Sequence, residues 1–200
     1  MTSPDPVEFF EQQFLRQIRE TDFALNPFEK LALPYLAGSV LDLGCGLGNL
    51  SLEAARRGCM VTALDASPTA VERLRAAARQ EQLRLQPLQA DLGNFRIEQD
   101  YDTIVAIGLL MFLEKERALT LLSQIVQRVR PSGCAIVNVL VEGTTYLEMF
   151  KPGEYYLFGA NELEQAFAGW TLLAARRESF PAPEDTRKEF ATVVAQKPPG

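Results

Sequence analysis

The run Val40 to Asn49, VLDLGCGLGN, decides how the rest of this chain is read. It is a short apolar strand, then a turn holding Gly44, Gly46 and Gly48, then a helix opening near Asn49. Glycine lacks a Cβ, so such a turn lets the backbone turn left-handed and approach a bound group closely. The free N–H groups at the start of the following helix then point at that group. The spacing departs from the dinucleotide fingerprint G-x-G-x-x-G, and Asn49 stands where its last glycine would be. A nicotinamide dehydrogenase is therefore disfavoured.

Downstream, strand and helix alternate. Asn49 to Arg57 reads as a helix stopped by Gly58. Met60 to Leu64 is a second strand closed by Asp65, and Ser67 caps a helix with Pro68 at its first position. Leu83 to Ala90 is a third strand, closed by Asp91. Tyr101 to Ile107 and Cys134 to Val141 are the fourth and fifth. Between them Ala118, Leu121, Leu122, Ile125 and Val129 mark a helix that Pro131 is expected to terminate. Strands this apolar belong to a parallel sheet with helices on both faces. Trp170 to Ala175 and Phe190 to Ala195 read as two further strands, with Pro181, Pro183 and Asp185 in their turn. No helix fits that connection, so the pair should be antiparallel. The fold class expected is α/β, a doubly wound, mostly parallel seven-stranded sheet finished by an antiparallel hairpin.

Upstream, Asp5 to Glu20 carries Val7, Phe10, Phe14, Leu15 and Ile18 on one helical stripe. Asn26-Pro27 breaks the chain, and Phe28 to Leu36 gives a short second helix. Residues 1–38 are thus a helical cover on the core or a lid over a site. Residues 39–197 form the core of one domain, with Lys197 to Gly200 as a loose tail.

Composition narrows the function. Two hundred residues, 47% apolar, suffice for one sizeable core. The net charge of −6 leaves no basic stripe, so neither nucleic acid nor an anionic membrane is the expected partner. There is no membrane-length apolar run and no signal peptide at the N-terminus. Cys45, Cys59 and Cys134 stand in no metal-ligand spacing, and reduced thiols in the cytoplasm are the expectation. Histidine is absent, which removes the commonest general base and transition-metal ligand, and no metal is expected.

Asp42, Asp65 and Asp91 fall at the carboxyl ends of the first three strands, the edge where open α/β sheets bind ligands. Asp65 follows the glycine turn at the distance where a carboxylate meets the hydroxyls of a ribose. Asp91-Leu92 would sit beside the next ring along.

At this point the chain resembles the class I S-adenosylmethionine-dependent methyltransferases. VLDLGCGLGN, Asp65, Asp91-Leu92 and the fourth strand YDTIVAIGLL carry the likeness. Within that class it is similar to TehB-type tellurite-resistance methyltransferases, on LDLGCGLGNLS at Leu41 to Ser51, LMFLE at Leu110 to Glu114, NELEQAFAGW ending at Trp170, and KEFATVVAQK. The resemblance implies a Rossmann-like methyltransferase fold, S-adenosylmethionine as cofactor and S-adenosylhomocysteine as product. It implies that Gly44, Gly46 and Asn49 line the methionine end, Asp65 the ribose, and Asp91 and Leu92 the adenine. Ile107 and Gly108 close the other side, with Asp42, Cys45 and Ala66 beside them. The acceptor it implies is a small soft nucleophile, a tellurite- or selenite-derived species or a thiol. One departure bears on that acceptor. TehB-type enzymes carry a histidine-arginine pair before the last strand, whereas this chain has no histidine and a shorter connection from Ser179 to Arg187.

Leu110, Met111, Phe112, Tyr146, Phe150, Tyr155, Tyr156 and Phe158 are expected around the methyl, although for the last three ordinary core packing is the favoured reading. Arg176, Arg177 and Arg187 are candidate anion contacts, and Phe112, Tyr146 and Arg187 the chosen acceptor contacts. A small-molecule O-methyltransferase acting on a carboxylate or phenol, and a catalytically silent cofactor-binding subunit, are the alternatives.

Overall fold

The computed structural model describes residues 6–200. Asp5, where the first helix was expected to begin, lies outside them. The strands are β1 (Ser39–Leu43), β2 (Met60–Asp65), β3 (Leu85–Gln89), β4 (Tyr101–Ile107), β5 (Val129–Leu140), β6 (Thr171–Pro181) and β7 (Arg187–Gln196). They form one sheet ordered β3-β2-β1-β4-β5-β7-β6. Pairing is parallel from β3 through β5 and antiparallel where β7 meets β5 and β6. The strand order reverses at β1, between β2 and β4, and the crevice outside those strand ends is the ligand position of such sheets. The expected fold class stands.

The helices are α1 (Pro6–Glu20), α2 (Pro27–Ala32), α3 (Asn49–Arg56), α4 (Pro68–Gln80), α5 (Lys115–Arg128) and α6 (Glu162–Ala166). Their starts are local chemistry. The Asn26 side chain accepts from the Glu29 N–H while the Glu29 carboxylate accepts from the Asn26 N–H, a reciprocal box that opens α2. Ser67 Oγ accepts the Ala70 N–H at 3.0 Å ahead of Pro68, which opens α4. Two apolar layers clamp the sheet. On one face Leu121 and Ile125 of α5, with Phe158 and Phe167, cover Ile104, Val137 and Val193. On the other Ala32, Leu50, Ala54 and Leu74 cover Val40, Val105 and Ile136. Each fully buried large side chain contributes about 1.5–3 kcal/mol, so the strand ends project from a stiff frame.

Several boundaries differ from expectation. β3 is a short edge strand in which only Pro87 is buried, and proline is tolerated there because an edge N–H needs no partner. α5 stops at Arg128, and Pro131 lies inside β5, whose register against β4 shifts between Tyr101 and Thr103. The helix ends early because the residue before a proline is pushed toward extended backbone. The hairpin strands are longer than read, leaving Ala182 to Thr186 as the turn, with Glu184 and Asp185 left-handed. On α1 the stripe splits: Phe14 is buried, but Val7 and Leu15 are 43% and 41% exposed. The seam follows Phe10, Phe14 and Ile18, at helical i,i+4 spacing, against Leu47 and Ala70. Lys197 is anchored, its Nζ donating to the carbonyls of Val126, Gln127 and Val129 at the end of α5. Among the described residues no helix is long and apolar enough to cross a membrane.

Candidate active site

The turn after β1 is pinned to β2. Gly44 and Cys45 both donate their N–H to the Leu64 carbonyl, at 2.8 and 2.9 Å. Gly46 donates to Asp65 Oδ2 at 2.8 Å, and the Ser67 N–H reaches Asp65 Oδ1 at 2.9 Å. Asp65 therefore organises the turn as well as facing the space above it, and its oxygens keep lone pairs for a ligand. Burial raises its pKa, and those backbone bonds pull it back. Gly48 caps α3 at φ +75°, and a Cβ there would stand 2.5 Å from Leu74. Only glycine satisfies both demands.

A cavity of about 810 Å³ opens above these strand ends. Asp42, Gly44, Cys45, Gly46, Asn49, Asp65, Ala66, Asp91, Leu92, Ile107 and Gly108 all line it. Asn49 Oδ1 is buried, with no hydrogen-bond partner among the described residues. Gly108, at φ +68°, has open space where a Cβ would be. Asp42 is buried and its carboxyl is pushed up to about 7, although Ser51 Oγ donates to it at 2.6 Å. Burial also pushes the Cys45 thiol up. The Asp91 carboxylate turns back on its own loop, accepting from the Gly93 N–H and Asn94 Nδ2. Arg117 holds that loop from beneath through the carbonyls of Leu92 and Phe95, a role no sequence motif announced.

The far half of the cavity is made of side chains gathered from distant segments. Phe9 and Phe10 come from α1, Phe28 and Glu29 from α2, and Met111 and Phe112 from the turn after β4. Asn138 and Leu140 of β5, Met149, and Lys188 and Phe190 of β7 complete it. The Phe112 ring lies 5.1 Å from Phe10 and 4.9 Å from Phe150. Of the acceptor contacts read from sequence, Phe112 faces the cavity, whereas Tyr146 and Arg187 are not among its lining residues. Arg187 is exposed and pairs with Glu189 at 3.2 Å. Tyr146 instead lies under Lys188, whose Nζ is 4.6 Å from the ring centroid. Tyr156 and Phe158 pack together within the core, and Tyr155 stacks on Phe150. Alternation along KEFATVV would have pointed to Lys188, since Lys188, Phe190 and Thr192 share one strand face. Among the described residues no three acidic or cysteine side chains stand close enough to hold a metal ion.

Comparison with known proteins agrees with this geometry. Residues 40–133 match the methyltransferase domain family. The chain is 29% identical over 164 residues to hemagglutinin 1 of Eikenella corrodens, covering 79% of this chain and 54% of that protein. It is 27% identical over 165 residues to the probable S-adenosyl-L-methionine-dependent methyltransferase TehB of Haemophilus influenzae, covering 79% of this chain and 57% of that one. The chain thus spans little more than half the length of these curated relatives. The crystal structure of Haemophilus influenzae TehB superposes with a TM-score of 0.75 at 22% identity, over 90% of this chain and 65% of that one. The lining fits the cofactor of this family: carboxylates at the strand ends, an orphaned amide oxygen on Asn49, and room over Gly108 for a bulky group. In topology, glycine turn and sequence, and over residues 40–133 above all, this chain is similar to the class I S-adenosylmethionine-dependent methyltransferases.

Proposed function

We propose that this chain transfers a methyl group from S-adenosylmethionine to a small soft nucleophile, a thiol or a reduced selenium or tellurium species. The carrying observation is one continuous cavity. The glycine turn and Asp65 at one end lead past Gly108 to a wall of Phe10, Met111, Phe112, Leu140 and Phe190. S-adenosylmethionine, when bound, supplies a methyl group on a cationic sulfur that departs as a neutral thioether and needs no acid. The chain's own task is to align an acceptor and exclude water, and alignment alone can supply about 7–11 kcal/mol. Two carboxylates that line the cavity are engaged elsewhere rather than free to take a proton from an alcohol. Glu29 caps Asn26, and Glu154 pairs with Lys151. Tyr156 lies away from the cavity, and burial and a bond to Glu162 push its pKa up. A thiol is already a few per cent ionised at neutral pH, so positioning suffices. The motif resemblance to TehB-type tellurite-resistance methyltransferases supports the same class of acceptor.

The segment before β1 acts here as the cover of the cavity, through Phe9, Phe10, Phe28 and Glu29, and residues 39–197 as the core of a single domain. We read the location as cytoplasmic, in keeping with three cysteines that form no disulfide. The test is an acceptor screen read by S-adenosylhomocysteine release, across selenite, tellurite, thiols, phenols and small carboxylates. Turnover is expected with the soft members. Turnover with phenols or carboxylates alone replaces the reading with an O-methyltransferase, and cofactor binding with no turnover leaves a silent subunit.

A further inference from the structure

Two polar groups in the far half of the cavity have no hydrogen-bond or charge partner among the described residues. Asn138 is 0% exposed. Its Nδ2 donates to Thr192 Oγ1 at 2.8 Å, and among the described residues its Oδ1 has no partner. A buried amide oxygen left unpaired is destabilising, so a ligand that donates to it recovers that deficit. The second group is Lys188. It is half-buried at the cavity wall, and among the described residues it makes no ion pair. Its neighbours Arg187 and Glu189 point to the opposite strand face and pair with each other there. Burial lowers the Lys188 pKa, and its Nζ lies over the Tyr146 ring.

These groups lie on one surface. Asn138 is in register with Thr192, and Leu140 with Phe190. Lys188 is two residues further along the same face of β7. Four residues of strand separate Lys188 from Thr192, about 13 Å at strand rise. The stretch between is apolar, made by Leu140 and Phe190 with Met149 opposite. The Asn138 end adjoins the cofactor half, since the Gly108 N–H donates to the Asn138 carbonyl at 3.1 Å.

We propose that the acceptor is an organic anion: a thiol head that donates to Asn138 Oδ1, an apolar middle, and a carboxylate held by Lys188. This rests on the methyl-transfer reading above and narrows it away from inorganic oxyanions, which cannot reach both groups. Asn138 orients the head and Lys188 selects the charge of the tail. In the reaction the thiol proton leaves to water and the acceptor sulfur forms its bond to the methyl carbon. The methyl–sulfonium bond breaks, and its electron pair stays on the departing sulfur.

Three probes of equal reach decide the matter: mercaptohexanoate, mercaptohexanol and aminohexanethiol, each assayed for turnover and, with S-adenosylhomocysteine bound, for affinity by calorimetry. The carboxylate probe should show a KM about tenfold below the neutral one, the worth of one charged contact. Lys188→Met should erase that preference, and Lys188→Glu should turn it toward the ammonium probe, with cofactor affinity unchanged in both. An unchanged carboxylate preference in Lys188→Met overturns the subsite. So does selenite or tellurite turnover that outpaces the carboxylate thiol. Lys188-dependent binding of the carboxylate probe without turnover upholds the subsite and overturns the methyl-transfer reading instead.

Discussion

The two halves of the cavity are built by different rules. The half proposed for the cofactor is set by backbone: left-handed glycines whose N–H groups pin the turn to β2, and open space over Gly108, with strand-end carboxylates beside them. Its residues come from consecutive strand ends, so the sheet itself sets their spacing. The acceptor half uses side chains from α1, α2, the turn after β4, β5 and β7, segments far apart in the chain. A backbone cradle constrains residue type at fixed positions. A wall of side chains asks only for apolar volume and a few polar groups, and many sequences meet that demand.

The sharpest test of this contrast is pH. Asp42 is a buried carboxyl in the cofactor half, raised from 3.8 to about 7. The folded chain favours its protonated form, so its contribution to stability is full below about pH 4 and is lost as pH rises through 7. At about 1.4 kcal/mol per pH unit, the swing is on the order of 4 kcal/mol. Asp42→Asn keeps an acceptor for Ser51. In urea titrations it should exceed the parent's stability above pH 7, with the gap closing toward pH 4. Equal stability of the two at pH 8 would mean that Asp42 is well hydrated and this half less closed than its geometry says.

Asp65→Ala should weaken S-adenosylmethionine binding by about tenfold or more, since each hydrogen bond to a charged group contributes roughly 1.5–3 kcal/mol. Acceptor KM at saturating cofactor should stay within about twofold if the halves are separable in the way additive sites are. Calorimetry with unchanged affinity would remove Asp65 from the cofactor site. The smallest effect belongs to the acceptor half. Phe112→Leu gives up ring contacts to Phe10 and Phe150, and should raise acceptor KM about threefold while cofactor affinity holds. A matching loss of cofactor affinity would break the division between halves.

The same contrast explains what was legible in the sequence. Gly44, Gly46 and Asp65 could be named as cavity-lining beforehand because a turn on a strand end needs those residue types at those spacings, whereas Gly108 came from the resemblance alone. The succession of strands and helices along the chain followed from apolar runs and turn residues, but the order of strands in the sheet did not. The ends of β3, β5 and the hairpin strands did not, because an edge position or a register shift is decided by neighbours distant in sequence. Arg187 attracted attention as a charge near the hairpin, yet strand alternation turns it outward and Lys188 inward. Tyr146 was near the right place but one layer removed, supporting Lys188 rather than lining the space. Asn138 sat unnoticed in an apolar run, where only the finished sheet leaves its oxygen unpaired.

The position of β7 has a consequence for how the chain comes into being. β7 follows β6 in sequence but lies between β5 and β6 in the sheet. While a ribosome extends the chain through residues 141–186, β5 has no neighbour on its far side, and β6 has no strand to join. An open strand edge invites pairing with other chains until it is covered. The cofactor cradle on β1, β2 and β4 can assemble during this interval, because none of its strands waits for β7. Lys188 and Phe190 arrive only when β7 slots into place, so the nascent protein acquires its grip on one ligand before it can acquire the other.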